Sequence, residues 1–130
     1  MNIQEPQKSF TQSIIHRFPS LLSTDSDDPI STFGIEVLPG WFPIVEQMID
    51  QINTYETQHG YGGSLHITQI KTKFCMLRCN TTLHDEELDN IIGQYAEQAS
   101  KTCEKCGLPG KIRLNRPWKL VLCDACESKR

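Results

Sequence analysis

Four of the six cysteines in this 130-residue chain share one spacing: Cys103, Cys106, Cys123 and Cys126 read C-x2-C-x16-C-x2-C. A C-x-x-C turn brings two sulfurs to one ion while neighbouring backbone N–H groups point at them, and two such turns complete a tetrahedral zinc site. Four cysteine ligands leave no vacant position for water or substrate. The expected cofactor is therefore one structural Zn2+ and not a catalytic ion. Gly107 is placed for a left-handed turn after the first pair, and Gly110 with Pro109 shapes the loop beyond it.

The other reactive side chains form no comparable pattern. Cys75 and Cys79 are separated by three residues in a β-type stretch, too far apart there to share an ion, so they read as small buried apolar side chains, with free surface thiols as the alternative. The histidines His16, His59, His66 and His84 are scattered. His84-Asp85 resembles the dipeptide of some zinc-containing nucleases, but no histidine follows it and Asn115 alone cannot build a catalytic site. Helix capping is the reading for that region. The acidic residues form no evident carboxylate pair, and neither a glycine-rich loop nor a nucleophile motif lies near them, so no enzyme activity is expected.

Apolar periodicity gives the elements that must position these groups. Phe10, Ile14, Ile15, Phe18, Leu21 and Leu22 predict a helix over residues 10–22, which Pro19 ends near Arg17, behind a flexible segment 1–9. Residues 23–29 read as a solvated loop. After the Pro39-Gly40 break, Pro43 suits a first helical turn, Trp41 and Phe42 anchor it, and a stripe from Ile44 to Ile52 runs on until His59-Gly60. Residues 61–63 predict a turn, and residues 65–79 a hairpin bending at 73–75. A third helix opens with a polar cap at 82–85 followed by Glu86 and Glu87, and buries Leu88, Ile91, Ile92, Tyr95, Ala96 and Ala99 as it runs to Ser100. Residues 112–114 and 119–122 then read as two short strands about a turn at 115–117, with Trp118 packed across them or offered as a stacking platform.

The fold class expected is α+β: a three-helix body with a small β-hairpin, residues 10–100, and a C-terminal four-cysteine zinc ribbon, residues 101–130, docked directly on the third helix. At 38% hydrophobic and 22% charged residues the apolar supply is somewhat thin, which metal-coupled folding would offset. No run approaches the roughly 18 apolar residues of a membrane span, and residues 1–7 lack a secretion signal, so a cytoplasmic protein with reduced cysteines is expected.

The net charge of −3 conceals an uneven distribution. Residues 1–100 carry five basic and thirteen acidic side chains, whereas residues 101–130 carry eight basic and three acidic ones. Lys105, Lys111, Arg113, Arg116 and Lys119 are thus candidate nucleic-acid contacts; attraction between the two halves and simple solvation are the alternatives. Trp41 and Phe74 are candidate apolar contacts for a partner protein.

Three segments resemble a family of short, uncharacterised phage and prophage zinc-ribbon proteins. They are Gly40-Trp41-Phe42-Pro43; the stretch from Gln69 through Lys71, Lys73 and Phe74 to Leu77-Arg78; and Ala96-Glu97 through Cys103, Cys106 and Gly110 with Leu122-Cys123-Asp124. The resemblance implies a bacterial host cytoplasm and a glycine where this chain has Cys75. The ribbon alone resembles the C-terminal finger of the DksA and TraR transcription factors, through Cys106-Gly107, Arg113-Leu114, Pro117 and Leu122-Cys123. Two functions follow as expectations. The first is a non-enzymatic phage-type accessory protein that binds and modulates a host macromolecule, foremost a protein of bacterial defence or gene expression. The second is a nucleic-acid-binding or RNA-polymerase-associated regulator using the basic ribbon.

Overall fold

The apolar stripe with the most buried residues becomes α3 (Phe42–His59), which turns Ile44, Val45, Met48, Ile49, Ile52 and Tyr55 inward. Pro43 sits in its first turn, where the missing N–H has no intrahelical acceptor to lose. Gly60 closes it at φ 64°, donating its N–H to the Glu56 carbonyl, a conformation that glycine adopts without a Cβ penalty. The structure, a computed structural model, describes residues 4–22, 29–60, 64–115 and 119–129. The expected loop at 23–29, except for Pro29, and the expected turn at 61–63 lie outside them, as do Arg116, Pro117 and Trp118.

The helix α4 (Glu86–Ala99) starts where the sequence predicts. The Asp85 carboxylate accepts the Leu88 N–H at 2.8 Å, and Glu86, Glu87 and Asp89 occupy the positive end of the helix dipole. Leu88, Ile91 and Ala99 are buried, and Ile92, Tyr95 and Ala96 pack on the same core. The Tyr95 hydroxyl donates to Gln51 Oε1 at 2.7 Å and links α4 to α3.

The predicted hairpin is β1 (Ile67–Lys73) paired antiparallel with β2 (Met76–Thr81), and it bends at Phe74 and Cys75. Both turn residues are left-handed, at φ 53° and 64°, the two-residue geometry whose twist suits flanking strands. Cys75 adopts this conformation where the resemblance anticipates glycine. The strands bury Ile67, Ile70 and Leu77, whereas Phe74 and Met76 are exposed. Glu36 adds one rung to the β1 edge: its N–H donates to the Ile70 carbonyl at 2.9 Å, and its carbonyl accepts the Thr72 N–H at 3.2 Å.

The first helix, α1 (Gln4–Arg17), ends before Pro19 as expected but begins six residues ahead of the expected start at residue 10. Contacts distant in sequence tie this helix to the chain around residues 35–42. Gln7 Nε2 donates to the Val37 carbonyl at 2.8 Å, Thr11 Oγ1 accepts the Ile35 N–H at 2.9 Å, and Phe10 stacks on Phe42 with ring centroids 4.2 Å apart. Residues 4–9 are helical. A one-turn helix, α2 (Pro29–Phe33), was not anticipated; it buries Ile30.

The ribbon consists of β3 (Lys111–Arg113), β4 (Leu120–Leu122) and a short α5 (Asp124–Ser128), and the strands fall where the sequence places them. Val121 enters the main core with residues from α1, α2, α3 and α4, and Leu122 packs with Cys103 and Cys123. The protein is thus α+β, a helical body with a hairpin and a C-terminal four-cysteine ribbon. No described helix is long and apolar enough to cross a membrane.

Candidate metal centre

The first cysteine pair sits in a tight turn that immediately follows α4. The Cys103 N–H donates to the Leu108 carbonyl at 2.7 Å, and its carbonyl accepts the Gly107 N–H at 3.0 Å. Gly107 has φ 85°, as its place after the turn predicts. The second pair brackets the start of α5: Cys123 is its N-cap residue, and its sulfur accepts the Cys126 N–H at 3.4 Å. Gly110 makes the closure of the ribbon feasible, since a Cβ there would lie 2.8 Å from the Leu122 carbonyl carbon and 2.9 Å from the Cys123 nitrogen.

These turns bring the sulfurs of Cys103, Cys106, Cys123 and Cys126 within 4.8 Å of one another. Thiolates about 2.3 Å from a central ion in tetrahedral array stand about 3.8 Å apart, so the cluster has the dimensions of such a site. Cys106 Sγ and Cys123 Sγ are 3.5 Å apart, well beyond a disulfide bond, and all six cysteines are free. The donor chemistry also calls for a cation. Burial acts against ionisation of Cys103, but hydrogen bonds from the Cys123, Cys106 and Lys105 backbone outweigh it and pull the thiol down to about 6. The hydrogen bond with Cys123 pushes Cys126 up to about 12, with burial adding to it. A thiolate is thus readily available to a cation at Cys103, whereas Cys126 gives up its proton with more difficulty.

The centre is anchored to the body by two residues. Gly40 donates its N–H to the Glu104 carbonyl at 2.7 Å, and a Cβ at Gly40 would come within 2.5 Å of Glu104 backbone atoms. Trp41 Nε1 donates to the Thr102 carbonyl at 2.8 Å. Glu104, buried beside Cys103, completes the joint: its carboxylate accepts the Val121 N–H at 2.7 Å, and its own N–H donates to the Val121 carbonyl at 2.8 Å. Burial raises the Glu104 carboxyl above its ordinary range. Sequence reading missed Gly40 and Glu104 as a pair, although Gly40 lies in one of the segments that carried the resemblance.

The remaining candidates divide clearly. Lys105, Lys111 and Lys119 are exposed on the ribbon, and none of them forms an ion pair among the described residues. Arg113 does not present a free charge beside Lys111. Its side chain is only 15% exposed, donates to Asp124 Oδ1 at 2.8 Å and to the Leu122 carbonyl at 3.1 Å, and approaches Glu127. That arrangement holds the Asp124 carboxyl below its usual range, first through the hydrogen bond and then through the guanidinium charge. Arg116 lies outside the described residues.

Trp41, a candidate partner contact, is fully buried and serves the joint instead, because its indole N–H finds an acceptor only across the ribbon boundary. Phe74, the other candidate, is 82% exposed. Asp85 caps α4, and neither it nor His84 belongs to a metal-sized cluster; among the described residues only the four cysteines do. Cys75 is buried, and Cys79 packs against the core. No family model, curated protein or solved structure matches the chain.

Proposed function

We propose that the four cysteines hold one structural zinc ion and that the chain is a non-enzymatic, phage-type accessory protein that binds and modulates a host protein of bacterial defence or gene expression. The closed four-sulfur cluster, joined to the body through Gly40, Trp41 and Glu104, carries this reading. Soft thiolates favour zinc over hard cations, and a full set of protein ligands gives the ion a framework role. A framework ion that fixes a basic ribbon against an acidic body suits a protein whose business is presenting surfaces. The phage setting rests on the sequence resemblance.

Two measurements test the reading. Elemental analysis of the purified chain should return one zinc per molecule, and a folded chain carrying iron or no metal overturns that half. Affinity capture from a bacterial lysate should return one stoichiometric protein. The second reading, a nucleic-acid-binding regulator, is supported by Lys105, Lys111 and Lys119, which form no ion pair among the described residues. It requires DNA or RNA binding that falls steeply with salt and is lost on Lys111→Glu with Lys119→Glu. Absence of binding at low salt excludes it.

A further inference from the structure

A groove of about 890 Å3 separates the hairpin tip from the ribbon. Its walls are largely apolar, with Val37 and Phe74 on the body side and Ile112, Leu114 and Leu120 on the ribbon side. Two of these residues are too exposed for ordinary core packing: Phe74 at 82% and Leu114 at 65%. Phe74 is also held at φ 53°, a conformation unfavourable for a bulky side chain, at the tip of the hairpin that borders the groove.

Backbone geometry adds a second feature. The N–H and C=O of Val121 are both engaged by Glu104, on the side of β4 away from β3. Ile112, which faces Val121, therefore belongs to a pair without mutual hydrogen bonds, and its own N–H and C=O point outward from the free edge of β3. An extended chain could add there as a third strand. Main-chain bonds supply affinity in such strand addition, and pockets for alternate side chains supply selectivity.

Charge indicates what kind of chain would fit. Lys105 and Lys119 line the groove, are exposed and form no ion pair among the described residues; Lys73, with its ammonium 5.7 Å from the Phe74 ring centroid, adds a third cation at the hairpin tip. The acids at the groove are recessed: Glu36 is half-buried in the β1 rung, and buried Glu104 receives the Val121 N–H. The accessible rim is thus cationic, while the walls are too apolar to favour a phosphate backbone.

We propose that this groove binds an extended acidic peptide segment of a partner protein. The segment adds to β3 at Ile112, places an apolar side chain between Phe74 and Leu114, and sets a carboxylate against Lys105 and Lys119. The inference deepens the protein-binding reading above and rests on it.

The test is selection of the full-length, metal-loaded chain against a random dodecapeptide library by ribosome display. The selected peptides should combine Asp or Glu with Leu or Phe. Binding of a synthetic selected peptide should weaken about tenfold or more in Leu114→Asp and in the Lys105→Glu, Lys119→Glu double variant. Both change exposed residues, and unchanged metal content with an unchanged far-UV spectrum shows that they remain folded. Phe33→Ala, an exposed aromatic outside the groove, should have no effect.

Four results overturn the proposal: no selected peptides, selection of basic ones, binding indifferent to both groove variants, or self-association of the chain that Leu114→Asp abolishes. Undiminished capture of a host protein by Leu114→Asp would remove the groove and leave the protein-binding reading standing. If neither library nor lysate yields a protein ligand, both fall.

Discussion

Gly40 is the point at which body and ribbon press together. A Cβ there would stand 2.5 Å from the Glu104 carbonyl carbon and oxygen, and closer still to the Cys103 carbonyl oxygen. These are backbone atoms of the first cysteine turn and cannot rotate away as a side chain would. Gly40→Ala should therefore cost about 1–3 kcal/mol of stability and make the metal easier to remove, read as a lower urea midpoint and faster loss to a chelator. The four-cysteine cluster was legible because its spacing is itself the signal. The Gly40 and Trp41 contacts were not, since Trp41 reaches an acceptor 61 residues away and local pattern carries no record of it. Arg113 was misjudged for a related reason: alternation along β3 gives the strand face, but not the acids of α5 that draw the side chain in. Cys79 offers a test of the opposite kind. Some of its surface reaches solvent, but its thiol packs on the core and burial pushes it up to about 12 from 9.0. Its raised folded value means that its contribution to stability is complete below pH 9 and declines as pH rises from 9 toward 12. Iodoacetamide at neutral pH should leave Cys79 unmodified in the folded chain and alkylate it in urea, as peptide mass mapping would show.

At the level of elements, the hairpin shows a local rule broken at both turn positions. Its turn was legible from the length of the β-type run and its bend at 73–75, yet the two residues that make the turn are Phe and Cys, both left-handed. Asparagine tolerates that conformation far better than phenylalanine. Because the Phe74 side chain is 82% exposed, little packing is lost on replacing it. Phe74→Asn should raise stability by about 0.5–1 kcal/mol while weakening peptide binding in the groove. Paired denaturation and binding curves would measure both, and a loss of stability would show that Phe74 makes a fold contribution. The start of α1 was illegible for a different reason. Residues 4–9 are polar, so no apolar stripe announces a helix there; Gln7 and Thr11 secure it through hydrogen bonds to Val37 and Ile35. A helix of five residues such as α2 is too short for periodicity to register at all.

Across the whole molecule, the four-cysteine cluster sits in the basic half, at its joint with the acidic one. The acidic balance of residues 1–100 and the basic balance of 101–130 attract one another, but exposed charges in salt give little orientation. Orientation comes from the joint: Gly40 and Trp41 bind the first cysteine turn, and Glu104 holds Val121, which belongs to the main core. Loss of the ion should therefore be felt beyond the ribbon. Within the cluster Cys103 ionises readily and Cys126 does not. Binding a divalent ion at pH 7 should release protons, because a ligating thiol must give up its own, and titration in weak buffer would count them. Chelation should raise amide exchange through residues 101–126 and also at residues 40–45, where the ribbon supports the start of α3. Exchange in the middle of α3, around Met48 to Ile52, should change less, because those residues are buried deep in the main core. A change confined to the ribbon would mean that the joint is passive contact. A change reaching residues 40–45 would mean that the metal sets how the acidic body and the basic ribbon face a partner.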